Sequence, residues 1–217
     1  QIQPSHFEVM DARRMSSMGL PLGHSSRPRT KIVVVGPNMA GKTALANFLG
    51  DYMESSAEYR ATKGVRIIEF DSNDVEIDGQ KVLMDVEVWD CSSSDKYRDC
   101  WDAMRFGVEG VILVADPNRH SGEDLLLWYE EFVIKTELQN HQVLMVLLEQ
   151  GERKTNDGAI AEFKLPSKVH EIRLIACNLD HDGDGIRMEF NAFLVGIVEE
   201  IVKENGLEEY NRKAYGL

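Results

Sequence analysis

The sequence predicts an α/β domain: a mostly parallel, six-stranded, doubly wound sheet with one antiparallel edge hairpin and helices on both faces. Three observations carry that prediction. The β-branched run Ile32-Val33-Val34-Val35 ends on a glycine and leads straight into a helical pattern. Two strand-like stretches follow the first helix, and the polar segment between them contains the hairpin signal Asp78-Gly79. Beyond that hairpin, strand-like and helix-like segments alternate to the carboxyl end, the pattern of helices wound over both faces of a parallel sheet.

Taken in order, residues 1–29 mix Pro, Ser, Gly, Met and Arg without period and read as a tail outside the fold. The domain is expected over residues 30–205, with a second tail over 206–217. Its first strand is the run ending at Gly36, and its first helix spans Gly41 to about Met53. Val65–Phe70 and Val82–Trp89 are the hairpin strands. Val108–Ala115 is a strand, Gly122 to about Leu138 an amphipathic helix, and Val143–Leu148 a strand. The polar stretch Gln150–Lys168 reads as a long surface loop. Ile172–Ala176 is a shorter strand. The last helix, about Ile186–Lys203, repeats Phe190, Phe193, Leu194, Ile197, Val198, Ile201 and Val202 at helical spacing.

Bulk properties narrow the function. A chain of 217 residues fits one domain with a sizeable core. The formal net charge of −13 opposes nucleic acid or an acidic membrane as a general partner, although a local basic patch is compatible with it. Three cysteines, none in C-x-x-C spacing, argue against a disulfide framework or zinc site and for a reducing, cytoplasmic setting. No apolar run approaches the roughly 20 residues of a membrane-spanning helix. The amino end shows no signal-peptide core, and the carboxyl end has no cysteine to prenylate, so no lipid anchor of its own is expected.

The chemistry concentrates in Gly36-Pro37-Asn38-Met39-Ala40-Gly41-Lys42-Thr43, which fits G-x-x-x-x-G-K-[ST] at every fixed position between a strand and a helix. Small residues let successive backbone N–H groups point into one concave nest, and the helix amino end adds partial positive charge. This predicts a P-loop nucleotide-binding fold, with Pro37 to Ala44 around the phosphates, Lys42 on the outer ones and the Thr43 hydroxyl on Mg²⁺. Asp90 ends the second hairpin strand, where its carboxylate accepts a hydrogen bond from a Mg²⁺ water or holds the ion itself. Thr62, in the polar link between first helix and second strand, is a candidate to place a second hydroxyl on the metal and sense the γ-phosphate.

The segments GPNMAGKTALANFL, GVRIIEF, VWDCSSSDKYRDCW and IRMEF resemble the Ras and Rab GTPases, and more specifically the Rab-like intraflagellar transport GTPases, over roughly residues 31–200. The resemblance implies a Ras-like G domain that takes GTP or GDP with Mg²⁺. It also implies coiled-coil subunits of intraflagellar transport complex B as partners, in the cytoplasm and the cilium or flagellum.

Departures from the family pattern shape the expected activity. Where Rab-type chains continue Trp-Asp with Thr-Ala-Gly-Gln, this one has Cys91-Ser92-Ser93-Ser94: Ser93 replaces the glycine that meets the γ-phosphate, and Ser94 the glutamine that positions water. Asn38 stands where Ras-type enzymes keep glycine. No residue is therefore assigned a catalytic role, and slow hydrolysis is expected. The Asn-Lys-x-Asp run that reads guanine is replaced by Glu149-Gln150-Gly151-Glu152, which leaves guanine against adenine open in the residues themselves. Asn178 lies where a Ser-Ala-Lys loop would approach the base and is the candidate contact there.

Two other readings stand beside this one: an active switch whose missing groups arrive in trans, and a P-loop kinase for a small substrate, which the early hairpin and the want of an Arg-rich lid disfavour. Asp180-His181-Asp182-Gly183-Asp184-Gly185 resembles the start of a calcium loop but has Asn191 at its twelfth position, so Asp184 reads as a helix N-cap. Tyr97, Trp101 and Phe106 form either a docking surface or core packing. Of Trp128, Tyr129 and Phe132, at least one ring is expected at the surface.

Overall fold

The computed structural model describes residues 29–52, 60–77, 80–149, 163–169 and 172–215. Among the described residues six strands run β1 (Arg29–Val35), β2 (Val65–Ile77), β3 (Gln80–Cys91), β4 (Gly110–Ala115), β5 (Val143–Leu148) and β6 (Arg173–Cys177). They form one sheet in the order β2-β3-β1-β4-β5-β6. Only β2 and β3 pair antiparallel; every other neighbour pair is parallel. The helices are α1 (Lys42–Leu49), α2 (Trp101–Arg105), α3 (Leu126–Phe132) and α4 (Gly183–Tyr215).

β1, β4 and β5 lie inside the sheet with both faces covered, and their apolar runs are buried almost throughout. One face packs Ile32, Val34, Ile112 and Val146 against Leu45 of α1 and Phe190, Leu194 and Ile197 of α4. The other packs Val33, Val111, Leu113 and Met145 against Trp101 of α2 and Trp128 and Phe132 of α3. The strict alternation between the two clusters along each strand is the period of two that a pleated strand imposes.

Several elements depart from the expected bounds. The first helix stops at Leu49 rather than near Met53, because Gly50 caps it and Asp51 turns to φ 52°. The hairpin strands are longer than their apolar stretches: cross-strand pairing carries β2 through polar Asp71 and Ser72, past an irregularity, to fully buried Val75. The turn signal Asp78-Gly79 and most of the Gln150–Lys168 loop lie outside the described residues.

The expected helix Gly122–Leu138 is broken into a 3₁₀ turn, the short α3 and a second 3₁₀ turn. Thr136 contributes to the break by donating its hydroxyl to the carbonyls of Phe132 (2.7 Å) and Val133 (3.0 Å), in place of solvent-facing helix continuation. α4 starts earlier and runs further than Ile186–Lys203. It opens at Gly183, so Asp182 takes the N-cap position and Asp184 lies inside the first turn.

The aromatic residues also resolve. Trp128, Tyr129 and Phe132 are all buried, against the expectation of an exposed ring, because Trp101 packs on them with centroids 5.2 Å from Trp128 and 5.5 Å from Phe132. Trp101 is therefore core, whereas Phe106 is 84% exposed. Tyr97 is half-buried.

Gly110 at the start of β4 is a close approach between sheet and helix. A Cβ there would lie 2.5 Å from Ile197 Cδ1 and 2.9 Å from Phe193 Cζ. Gly110→Val is expected to lift α4 from the sheet and destabilise the chain by about 1–3 kcal/mol, read as a lowered urea midpoint at unchanged slope.

Candidate functional site

The carboxyl ends of β1 and β3 open into a cleft of about 700 Å³ lined by Asn38–Thr43, Ala44, Arg60–Lys63 and Cys91–Lys96. This is where ligands bind open α/β sheets. The loop out of β1 turns on three unusual backbone positions: Gly36 at φ 149°, Met39 at φ 60° and Gly41 at φ 89°. Gly36 has no alternative, since a Cβ would meet the Val114 carbonyl oxygen at 2.1 Å. Gly41 holds the N-cap position of α1 with no side-chain cap, which leaves the first-turn N–H groups facing the loop's concavity.

Lys42 is almost buried, and its Nζ donates to the carbonyls of Gly36 (3.0 Å) and Pro37 (2.7 Å), closing the loop on itself. Burial pushes its ammonium down to about 8, opposed chiefly by the charge of Asp90. The cleft lining holds Arg60, Lys63 and Lys96 besides Lys42, and one carboxylate, Asp95. A chain of net charge −13 thus carries a locally basic cleft, which suits a polyanion of small size.

Beneath the loop, three predicted residues converge. Thr43 Oγ1 donates to Asp90 Oδ2 at 2.7 Å, Thr62 Oγ1 donates to the same oxygen at 3.2 Å, and the two hydroxyl oxygens lie 3.0 Å apart. Asp90 is fully buried, and its Oδ1 has no hydrogen-bond partner. Burial raises its carboxyl above the usual range, opposed in turn by the Thr43 hydroxyl, Arg66, Thr62 and Lys42. Two hydroxyls and a carboxylate with a spare oxygen are the hard donors that Mg²⁺ takes, so the residues fit that ion.

The other candidates are placed less uniformly. Asn38, Met39, Ala40, Gly41 and Ala44 line the cleft, and Ser93 donates to Asn38 Oδ1 at 3.4 Å. Ser94 also lines it; its N–H donates to Ser92 Oγ at 3.3 Å. Pro37 contributes its carbonyl to Lys42 and is absent from the lining. Asn178 is not brought in either. It is buried beyond β6, where its Oδ1 accepts the Asp180 N–H at 2.9 Å and its own N–H donates to Asp182 Oδ2, so the amide shapes its own turn.

One contributor was missed. His120 accepts the Asp116 N–H on Nδ1 at 3.0 Å and contacts the Asn38 carbonyl through Nε2 at 3.0 Å. A carbonyl only accepts, so the neutral ring carries its proton on Nε2 and clamps the phosphate-type loop to the end of β4. A lone histidine after a strand gives no motif by which to find it.

A P-loop opening α1, a Thr hydroxyl before an antiparallel edge hairpin, and an aspartate ending β3 together define a Ras-like P-loop domain. The family model described as Ras of Complex, the Roc domain of DAPkinase, matches residues 31–150. Intraflagellar transport associated protein 2 of Caenorhabditis elegans is 35% identical over 206 residues, covering 81% of this chain and 82% of that protein. The intraflagellar transport protein 22 homologs of Danio rerio and Homo sapiens are 34% and 33% identical, each match covering 83% of this chain and 96% of the relative. A GTP-bound crystal structure of T. brucei IFT22/74/81 superposes with a TM-score of 0.66 at 26% identity, covering 81% of this chain and 98% of that one. A GDP-bound structure of T. brucei IFT22 superposes at 0.59. The chain belongs to the intraflagellar transport protein 22 family of Ras-like, Rab-related small GTPases.

The Lys42 environment sets a pH dependence for anion binding. A polyphosphate in the cradle stabilises the charged ammonium and raises its pKa again. Affinity is therefore expected to be level below about pH 8 and to fall by up to roughly tenfold per pH unit above it, with proton uptake on binding. Calorimetric titration between about pH 7 and about pH 9.5, in buffers of different ionisation enthalpy, measures both quantities.

Proposed function

We propose that this chain is a GTP- and GDP-binding subunit of the intraflagellar transport machinery, working as a nucleotide-dependent binding module rather than a fast hydrolase. The observation that carries the reading is the convergence of Thr43, Thr62 and Asp90 under a loop closed by Lys42. The T. brucei relative solved with GTP and with GDP supports guanine nucleotide as the ligand.

On this reading the backbone N–H groups from Asn38 to Ala44 surround the phosphates, and Lys42 turns from the Gly36 and Pro37 carbonyls to the outer phosphate oxygens. Mg²⁺, when bound, neutralises phosphate charge beside the Thr43 and Thr62 hydroxyls and Asp90. Thr62 then links the state of the γ-phosphate to the loop before β2, and Ser93 does the same for the loop after β3. These two loops flank one cleft, so their order depends on what fills it.

Partners follow from the same relatives. The T. brucei chain was solved with IFT74 and IFT81, and the counterparts of those two are the partners proposed here, engaged as coiled coils in the cilium or flagellum. Slow hydrolysis rests on Ser93 and Ser94: neither side chain has the reach of a glutamine amide, which carries its donor and acceptor on separate atoms. A trans-acting activator is the competing account, and single-turnover hydrolysis by the purified chain with and without cell extract separates the two.

Lys42→Ala is expected to weaken GTP binding by at least about thirtyfold, since it removes the one buried cation of the loop, while circular dichroism keeps the native spectrum. Unchanged GTP affinity in isothermal titration would refute the site. Affinity for the IFT74–IFT81 counterpart is expected to drop roughly fivefold or more when GDP replaces GTP; equal affinities would leave a constitutive scaffold carrying a structural nucleotide.

A further inference from the structure

Arg66 is a charged residue beside the candidate metal niche for which the sequence predicts no role. It lies on β2 directly across from Asp90 on β3 in the antiparallel register, so both side chains leave the same face of the sheet. Its Nε stands 3.7 Å from Asp90 Oδ2, close enough for charge attraction yet beyond hydrogen-bond length. The head is held in place from two other directions. Nη2 donates to Oδ1 of Asn47, a buried residue one helical turn beyond Thr43, and the guanidinium lies over the Tyr52 ring at 5.8 Å.

Arginine cannot shed its proton in this setting, so Asp90 faces a permanent positive charge supplied by the chain. The same carboxylate oxygen takes the Thr43 and Thr62 hydroxyls. A divalent ion at this niche therefore shares Asp90 with a resident cation. That weakens the hold on the ion, and it leaves the carboxylate paired when the ion departs.

We infer that Arg66 is a built-in counter-cation of the metal-site carboxylate: it keeps the Thr43–Thr62–Asp90 cluster assembled without a divalent ion and lowers the niche's affinity for one. The inference deepens the proposed nucleotide-binding reading and rests on it. Asn47 acts as the positioning residue that aims the guanidinium, and Tyr52 limits its swing. The consequence is a nucleotide site whose closure depends less on Mg²⁺ than its ligand set alone would require.

The test uses the full chain with bound GDP and Mn²⁺ as a paramagnetic probe, with binding read from the free-ion signal in electron paramagnetic resonance. Arg66→Gln is expected to bind Mn²⁺ roughly tenfold more tightly than wild type, and Arg66→Lys to stay near wild type because it keeps the charge. In chelator the order reverses: Arg66→Gln releases a fluorescent GDP analogue several-fold faster than wild type and melts at a lower temperature, since Asp90 is then buried beside a neutral amide.

Equal Mn²⁺ midpoints for wild type and Arg66→Gln, or weaker binding by the variant, overturn the inference while leaving the nucleotide site standing. Failure of the wild-type chain to bind GDP at all overturns both. Should Arg66→Gln not fold, Asn47→Leu releases the guanidinium from its anchor and is expected to tighten Mn²⁺ binding in the same direction; an unmoved midpoint there counts against the inference equally.

Discussion

The structure turns on one buried carboxylate. Asp90 has no exposure to solvent, and such a charge is tolerable only where donors and opposite charges converge on it. Those groups come from different stretches of chain: Lys42 and Thr43 from the start of α1, Thr62 from the link before β2, and Arg66 from β2 itself. Satisfying a single side chain at the end of β3 therefore fixes the relative positions of the first helix, the preceding loop and the edge hairpin. Moving any one of them exposes or strands the carboxylate. The geometry that makes the cluster structural also gathers the hard oxygen donors that fit a divalent ion.

The remaining loops are tied to this centre through neighbouring strand ends. His120 clamps the Asn38 carbonyl to the end of β4, so the P-loop is held from the far side as well as by Lys42. Lys31 does comparable work for α2. Its Nζ lies 3.6 Å from the Trp89 ring centroid and donates to the carbonyls of Phe106 (2.8 Å) and Ala103 (3.3 Å). A cation at a helix carboxyl end satisfies carbonyls that would otherwise face solvent unpaired. The loop after β3 is thereby rooted at both ends: by Asp90 and the Ser92 N–H bond to Gly64 at one, by the Lys31 cap at the other. Its middle, Ser93 to Lys96, lines the cleft and reaches the P-loop through the Ser93 bond to Asn38.

How much of this was legible follows from the kind of signal each feature leaves. β5 was read to the residue because Val143–Leu148 is buried on both faces and uninterrupted. The P-loop was read because its chemistry fixes residue types at fixed spacing, and Asp90 and Thr62 because they sit at defined points in an order of elements. Asp71 to Ile77 went unread as strand, since cross-strand pairing to β3 there overrides a polar local sequence. At the carboxyl end of the expected Gly122–Leu138 helix, the break is accompanied by hydroxyl-to-carbonyl bonds of Thr136, a residue equally at home on a helix surface. Asn178 was assigned from position in a family pattern, and the structure places it beyond β6, where its Oδ1 accepts the Asp180 N–H. His120 and Arg66 act through tertiary contacts across more than twenty residues, and no local pattern records such contacts.

The chemistry of the cleft bears on how a domain of this type is timed. A switch that hydrolyses quickly needs a side chain holding water in line with the γ-phosphate, and the positions after Asp90 offer short hydroxyls instead, one of them facing Asn38. On the proposed reading of slow hydrolysis, the lifetime of a bound nucleotide is set by its release. Release from a P-loop is governed by how firmly the phosphates and their metal are held, and so by the charges around Asp90. The inferred role of Arg66 at that carboxylate would shift control from the divalent ion toward the protein itself. Whatever braces the loop at Thr62 or the hairpin at Arg66 then also sets how long the nucleotide stays. A partner docking on either element and a nucleotide in the cleft must, by linkage, strengthen each other's hold wherever both favour the same loop position.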